Sequence, residues 1–251
     1  MRKVMLISAL MVAAAPLALR AEDKKPEPDY TFTGNAGLFS DYRFRGFTQT
    51  GYKPAFQGGF DFSHKSGLYV GNWNSNVEQD LYTGASLEMD LYGGYKMDVG
   101  PVGLDFGGLY YYYPNSGKLG TKIKNGELYA GASAGPVSAK LYYAVTRFFS
   151  LGEGTSFDTK GSLYLDVSAS YEVIKGLTVL GHAGWQKVKN GKSLGLPEDN
   201  VYDFKAGVSY DLSGWALGAA VVGTSKKEEF LTATGENGGK AGVVVSVSKT
   251  F

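Results

Sequence analysis

From Tyr30 to the end of the chain, apolar and polar residues alternate with period two almost without a break. That period places successive side chains on opposite faces of a strand. Twelve strands are predicted, at 30–46, 54–63, 68–77, 86–98, 102–113, 126–135, 137–149, 161–174, 177–188, 201–212, 215–225 and 240–251. No window in this region carries apolar residues at helical spacing over three turns. No linker or second domain interrupts the series.

The connections are ordered. Every even-numbered one is tight and contains glycine: His64-Lys65-Ser66-Gly67, Val99-Gly100-Pro101, Gly135-Pro136, Lys175-Gly176 and Ser213-Gly214. Glycine tolerates the dihedrals of short hairpin turns. The odd-numbered ones are mostly longer and polar, such as 115–125, 150–160, 189–200 and 226–239. Strict alternation gathers the short turns at one end and the long loops at the other. An outer-membrane up-and-down barrel is built this way, with short periplasmic turns and longer external loops.

The strand faces agree. In 161–173, Leu163, Leu165, Val167, Ala169, Tyr171 and Val173 oppose Ser162, Tyr164, Asp166, Ser168, Ser170 and Glu172. In 202–212, Tyr202, Phe204, Ala206, Val208, Tyr210 and Leu212 oppose Asp203, Lys205, Gly207, Ser209 and Asp211. Apolar faces of this length cross a band about 25 Å tall on tilted strands. Tyr95, Tyr110, Tyr112, Tyr171, Trp185, Tyr202, Tyr210 and Trp215 fall near their ends, as interfacial girdles require. The expected fold is an all-β, transmembrane, up-and-down antiparallel β-barrel of about 12 strands. Its last strand ends at Phe251 on a face shared with Val243, Val245 and Val247, which resembles the terminal signature read by the barrel-assembly machinery. Lys249 departs from that signature.

Composition sharpens the picture. The chain has 36 glycines, 18 tyrosines and 14 phenylalanines in 251 residues, which suits a turn-rich β protein. It has no cysteine, which excludes disulfides and thiolate metal sites. Arg2 and Lys3, the apolar run 4–19 and Ala21 read as an exported signal peptide over 1–21. A charged, proline-containing lead follows over 22–29, and the barrel is expected over 30–251. Without the leader the chain carries 22 basic and 24 acidic residues, so nothing points to nucleic acid.

Ser40-Asp41-Tyr42-Arg43-Phe44-Arg45-Gly46, Pro54-Ala55-Phe56-Gln57-Gly58-Gly59, Gly67-Leu68-Tyr69-Val70-Gly71-Asn72-Trp73 and Glu88-Met89-Asp90-Leu91-Tyr92-Gly93-Gly94-Tyr95 together resemble the N-terminal signature of the TorF family of putative porins. The likeness is close over 34–100 and extends beyond it only in length and style. It implies an outer-membrane barrel presumed to be a porin, and it carries over no catalytic or binding residue.

Catalytic constellations are sparse. His64 falls in a tight turn, and His182 falls on the more polar face of its strand. Gly-x-Ser-x-Gly occurs around Ser133 and Ser193, but neither has the strand–turn–helix setting of a nucleophile elbow. No zinc-protease, phosphate-loop or dinucleotide motif occurs. Glu198-Asp199-Asn200 is a short acidic cluster of the kind that can hold calcium, and Lys118, Lys122 and Lys124 make one long loop basic. No cofactor is implied, and the chain is not expected to be an enzyme.

What remains is the interior. By parity the inward acids are Asp41, Asp61, Glu88, Asp90, Asp105, Glu127, Asp166, Glu172 and Asp203. The inward bases are Arg43, Arg45, Lys96, Lys140 and Lys205, with His182 beside them. Charges in a lumen either pair across it and plug it, or ring a water path and select ions. The acidic excess leans towards cations. The first segment is read as continuous to Gly46, with Tyr42 and Phe44 on lipid. Arg43 and Arg45 then stand at the external mouth, paired with Asp61 or Glu88. The function expected is passive diffusion of ions or small solutes across the outer membrane, among lipids and lipopolysaccharide. A structural or adhesive barrel with a plugged lumen is the alternative, and an outer-membrane enzyme the lesser one.

Overall fold

The computed structural model describes residues 28–229 and 231–251. The signal peptide and most of the lead read from the sequence lie outside the described residues. Twelve antiparallel strands close into one barrel. In chain order they are β1 (Tyr30–Phe39), β4 (Ala55–His64), β5 (Leu68–Asn76), β6 (Leu87–Val99), β7 (Val102–Tyr112), β8 (Lys124–Ala134), β9 (Val137–Ala144), β10 (Leu163–Ile174), β11 (Leu177–Lys187), β12 (Asn200–Leu212), β13 (Trp215–Thr224) and β14 (Gly242–Thr250). Each pairs with its neighbours in sequence, and β1 closes on β14 with Asn35 opposite Thr250 and Phe39 opposite Ser246. The two remaining strands, β2 (Arg43–Phe44) and β3 (Phe47–Thr48), form a separate two-stranded sheet. Among the described residues, helix is confined to three single turns at Phe148–Ser150, Lys192–Leu194 and Lys227–Glu229.

The alternation seen in the sequence is the pleat of this wall. Outward positions are large, apolar and exposed, among them Phe32 at 63%, Leu38 at 56% and Val243 at 66%. Leaving such side chains in water instead of lipid costs about 1.5–3 kcal/mol each. Inward positions between them are polar or tyrosine, and most are buried. The core therefore sits inside the barrel rather than between layers.

Two segments differ from expectation. Strand β9, the seventh of the barrel, stops at Ala144, because Thr146–Ser150 leaves the wall and ends in the turn at Phe148–Ser150. The first strand stops at Phe39 rather than running to Gly46. There the carboxylate of Asp41 accepts hydrogen bonds from Thr48 Oγ1 at 2.5 Å and Thr50 Oγ1 at 3.0 Å, and it also binds Arg43 Nε. These bonds fold the chain back on itself. Arg45 and Gly46, with φ of 47° and 82°, form the two-residue turn between β2 and β3, where Phe44 pairs with Phe47. Positive φ at both central positions is the turn that matches hairpin twist. The alternating stretch is thus a strand, but of a small hairpin folded into the lumen.

Candidate functional site

The lumen is built from stacked rows, each running across neighbouring strands. One row reads Lys96, Asp105, Gly131, Lys140, Asp166, Gly184 and Asp203, each opposite the next in register. Charges alternate in sign from Lys96 to Asp166, Asp203 adds a second acid beyond Gly184, and Lys140 Nζ lies 2.7 Å from Asp105 Oδ2. The next row towards the long loops holds Tyr69, Tyr129, Tyr142, Tyr164 and Gln186. These tyrosines lie along the wall instead of standing across the lumen. A Cβ on Gly94 would sit 2.6 Å from the Tyr69 hydroxyl, so glycine at that position gives the ring its seat. The rows are tied together: Tyr69 donates to Asp105 at 2.6 Å, and Lys140 Nζ sits 4.3 Å from the Tyr129 ring centroid.

Below and within these rows lies a cavity of about 820 Å³. Its border includes His64, Gly67, Pro101 and Pro136 at the short-turn end, and Arg43, Phe44 and Arg45 at its inner end. The inner end is the folded-in first loop. Arg45 crosses from the β1 side to the far wall, where its guanidinium donates to Glu127 Oε2 at 2.7 Å on β8 and Gln186 Oε1 at 2.5 Å on β11. It also stacks 4.1 Å from the Tyr164 ring centroid on β10. At the hairpin tip, a Cβ on Gly46 would meet Gly223 O at 2.7 Å, Asp203 Cβ at 2.9 Å and the Thr224 methyl. Thr48, Thr50, Ser75, Asn125 and Tyr113 are each at most 2% exposed, so a dry layer crosses the barrel here. The long loops hold it from above: Thr48 N donates to Gly238 O at 2.9 Å, and Lys53 pairs with Glu78 at 2.6 Å.

These contacts correct the reading of the first segment. Tyr42 and Phe44 do not face lipid. Tyr42 is 7% exposed and packs edge-on against Trp73 at 5.2 Å, while Phe44 packs against Tyr111 and Phe149. Arg45 pairs with Glu127 and Arg43 with Asp41, not with Asp61 or Glu88. Asp61 instead accepts from Tyr92 at 2.6 Å. Glu88 and Asp90 lie under the first loop, with Tyr42 donating to Glu88 at 3.1 Å. Lys96 stands 4.7 Å from the Tyr69 ring, and Lys205 borders the cavity with no ion pair among the described residues. Glu172 is exposed near the short-turn end and accepts from Gly176 N at 2.7 Å. Tyr111 and Tyr113 are both inside, at 2% and 1% exposure.

His182 sits between two acids. Its Nε2 is 2.7 Å from Asp203 Oδ1, and its Nδ1 is 3.1 Å from Ser168 Oγ and 3.4 Å from Asp166 Oδ2. Hydroxyl, imidazole and carboxylate are in reach of one another, as in a nucleophilic triad. The rest of such a site is missing. Ser168 Oγ has a 2.7 Å bond to Asp166, which aims its proton away from the imidazole. Ser168 also lies mid-strand, paired on both sides with Ser138 and His182, where the ladder uses the amides an oxyanion hole needs. The acidic cluster in the fifth long loop is occupied too. Glu198 contacts Lys192 at 2.8 Å and Lys226 at 3.6 Å, and the Lys192 hydrogen bond and charge hold its carboxyl below the usual range.

The tyrosine row and Gln186 escaped the charge-based reading of the lumen. A signal was present: Tyr92 and Tyr164 share the parity of the inward acids, and glycines fall on the same parity of neighbouring strands.

A closed antiparallel barrel with an apolar outer wall and a charged, tyrosine-lined interior defines a transmembrane β-barrel of the porin type of fold. Two solved structures match it over most of their length. The NanC porin aligns with a TM-score of 0.58 at 8% identity, over 87% of this chain and 99% of the other. The KdgM porin aligns with a TM-score of 0.56 at 11% identity, over 87% and 99%. A comparison with curated protein sequences found no match. A family model described as a bacterial protein of unknown function, Gcw_chp, matches residues 23–251, and the chain belongs to that family.

Proposed function

We propose that this protein is an outer-membrane channel of the putative-porin kind that the TorF resemblance implies, passing ions or small solutes passively. One observation carries the reading: a closed wall surrounds a cavity of about 820 Å³ whose lining is charged and hydroxylated, and the first loop bars its inner end. A barrel whose only task is to hold loops gains nothing from a solvated interior of this kind, since about eight strands already close around an interior that side chains fill. The first loop sets a narrow resting state, and solute passes when the Arg45 hairpin yields. Lys205 faces the cavity without an ion pair among the described residues, whereas most of the inward acids are bonded to Arg, Lys, His or Tyr partners. Selectivity therefore turns away from the cation preference that the acidic excess suggests. Lipid and lipopolysaccharide surround the outer wall, and the strand ending at Phe251 meets the assembly machinery.

A second reading has its own observation. The buried bonds of Arg45 to Glu127 and Gln186 make a firm plug, which suits a structural or adhesive barrel. Planar-bilayer recording of the purified, folded protein separates the two. Discrete conductance steps, larger in Arg45→Ala, support the channel. Silence in both the native protein and Arg45→Ala, with both barrels folded, overturns it in favour of the plug.

A further inference from the structure

The first loop rests on an acid pair that has no counter-charge among the described residues. Glu88 and Asp90 take successive inward positions on β6 and are 1% and 4% exposed. Around them lie Tyr42, Trp73, Tyr82 and Tyr111, which form one packed aromatic cluster. Glu88 Oε1 accepts from the Tyr42 hydroxyl at 3.1 Å, but Glu88 Oε2 and Asp90 Oδ1 are buried with no hydrogen-bond partner among the described residues. The nearby cations of the loop are engaged elsewhere, Arg43 with Asp41 and Arg45 with Glu127. Buried carboxylates without a cationic partner are strongly unfavourable. Open oxygen lone pairs in a dry site mark a missing partner, and an ion is one of the few that fits.

The donors define the ion. Two carboxylates and a phenol hydroxyl are hard oxygen ligands, with no nitrogen or sulfur among them, which suits calcium or magnesium rather than zinc or copper. Two like charges at one gap call for a divalent ion. Asp90 also borders the lumen cavity, which supplies an entry path and room for water to complete the coordination.

We propose that Glu88 and Asp90 bind a hard divalent cation of the calcium class, admitted from the lumen, and that this ion fastens the first loop through Tyr42. The site does not depend on whether the barrel conducts.

Terbium luminescence tests it, because a lanthanide at this site is surrounded by tyrosine and tryptophan rings that sensitise its emission. With the folded barrel in detergent, free of lipopolysaccharide, emission on tyrosine excitation saturates with added terbium. Calcium displaces it, and sodium chloride of equal ionic strength does not. Affinity falls at least tenfold in Glu88→Gln/Asp90→Asn and is unchanged in Glu198→Gln, which alters only the surface cluster. Should the double variant fail to fold, Asp90→Asn alone, which keeps the Glu88–Tyr42 bond, gives the same readout. Calcium also raises the melting temperature of the native barrel over the sodium control. No sensitised emission and no calcium effect on melting overturns the proposal and leaves a proton shared between the two carboxyls. Equal terbium binding by native and variant barrels overturns it as well, by placing the ion elsewhere.

Discussion

Replacing Arg45 with alanine removes a side chain that spans the lumen from the first loop to the far wall. The guanidinium and Glu127 side chains are 7% and 2% exposed, and their 2.7 Å contact is a charge-assisted hydrogen bond in a dry layer. Breaking a buried pair by deleting one partner typically costs about 3–5 kcal/mol, because the other charge stays behind unpaired. Glu127 keeps two donors, Tyr111 at 3.3 Å and Asn125 at 3.1 Å, so the lower end of that range applies. Loss of the stack on Tyr164 adds about 0.5–2 kcal/mol. The expected total is about 4 kcal/mol in urea unfolding of the detergent-folded barrel, read by the shift in gel mobility between folded and unfolded forms. The companion variant Arg45→Ala/Glu127→Gln, which removes the stranded charge, recovers about half of that loss. Single-channel conductance rises in both variants, because both free the hairpin tip. A loss below about 1 kcal/mol in Arg45→Ala, with no recovery in the double variant, refutes the claim that this pair pins the loop.

Other substitutions probe separate parts of the argument. Gly46→Ala places a methyl group against Thr224, Gly223 and Asp203 at a φ of 82°, so it destabilises the hairpin by about 1–3 kcal/mol and raises conductance; trypsin cleavage at Arg45, faster in the variant, reports the released loop. Lys205→Glu reverses the one cavity-facing cation of β12 and moves the reversal potential in a salt gradient towards cation preference, with little change in unfolding; an unmoved reversal potential refutes a role for Lys205 in selectivity. Val208→Arg, outward on the same strand, costs about 2–4 kcal/mol in lipid vesicles if it lies at mid-membrane, whereas the inward Lys205→Arg is tolerated. Equal behaviour of those two variants contradicts the assigned faces.

The residue pattern alone carried the wall. Period-two alternation and the order of short and long connections placed twelve strands and, apart from the overruns at 40–46 and 145–149, their ends to within a few residues, because both signals are local: a pleat sorts neighbours, and a tight turn needs its own glycine. The same locality explains the error at residues 40–46. Asp41, Tyr42, Arg43, Phe44 and Arg45 alternate as a strand should, and they do form one, but parity cannot say which sheet a strand joins. That choice rests on contacts far away in sequence: Arg45 with Glu127 and Gln186, Gly46 against Thr224, and Thr48 with Gly238. Inward parity likewise named Glu88, Asp166 and Asp203 as interior residues, yet gave none of their partners. Whether an interior acid meets a cation, a tyrosine hydroxyl or no partner depends on register between strands and on a loop folded through the lumen. Those are properties of the closed barrel, and no short stretch of chain contains them.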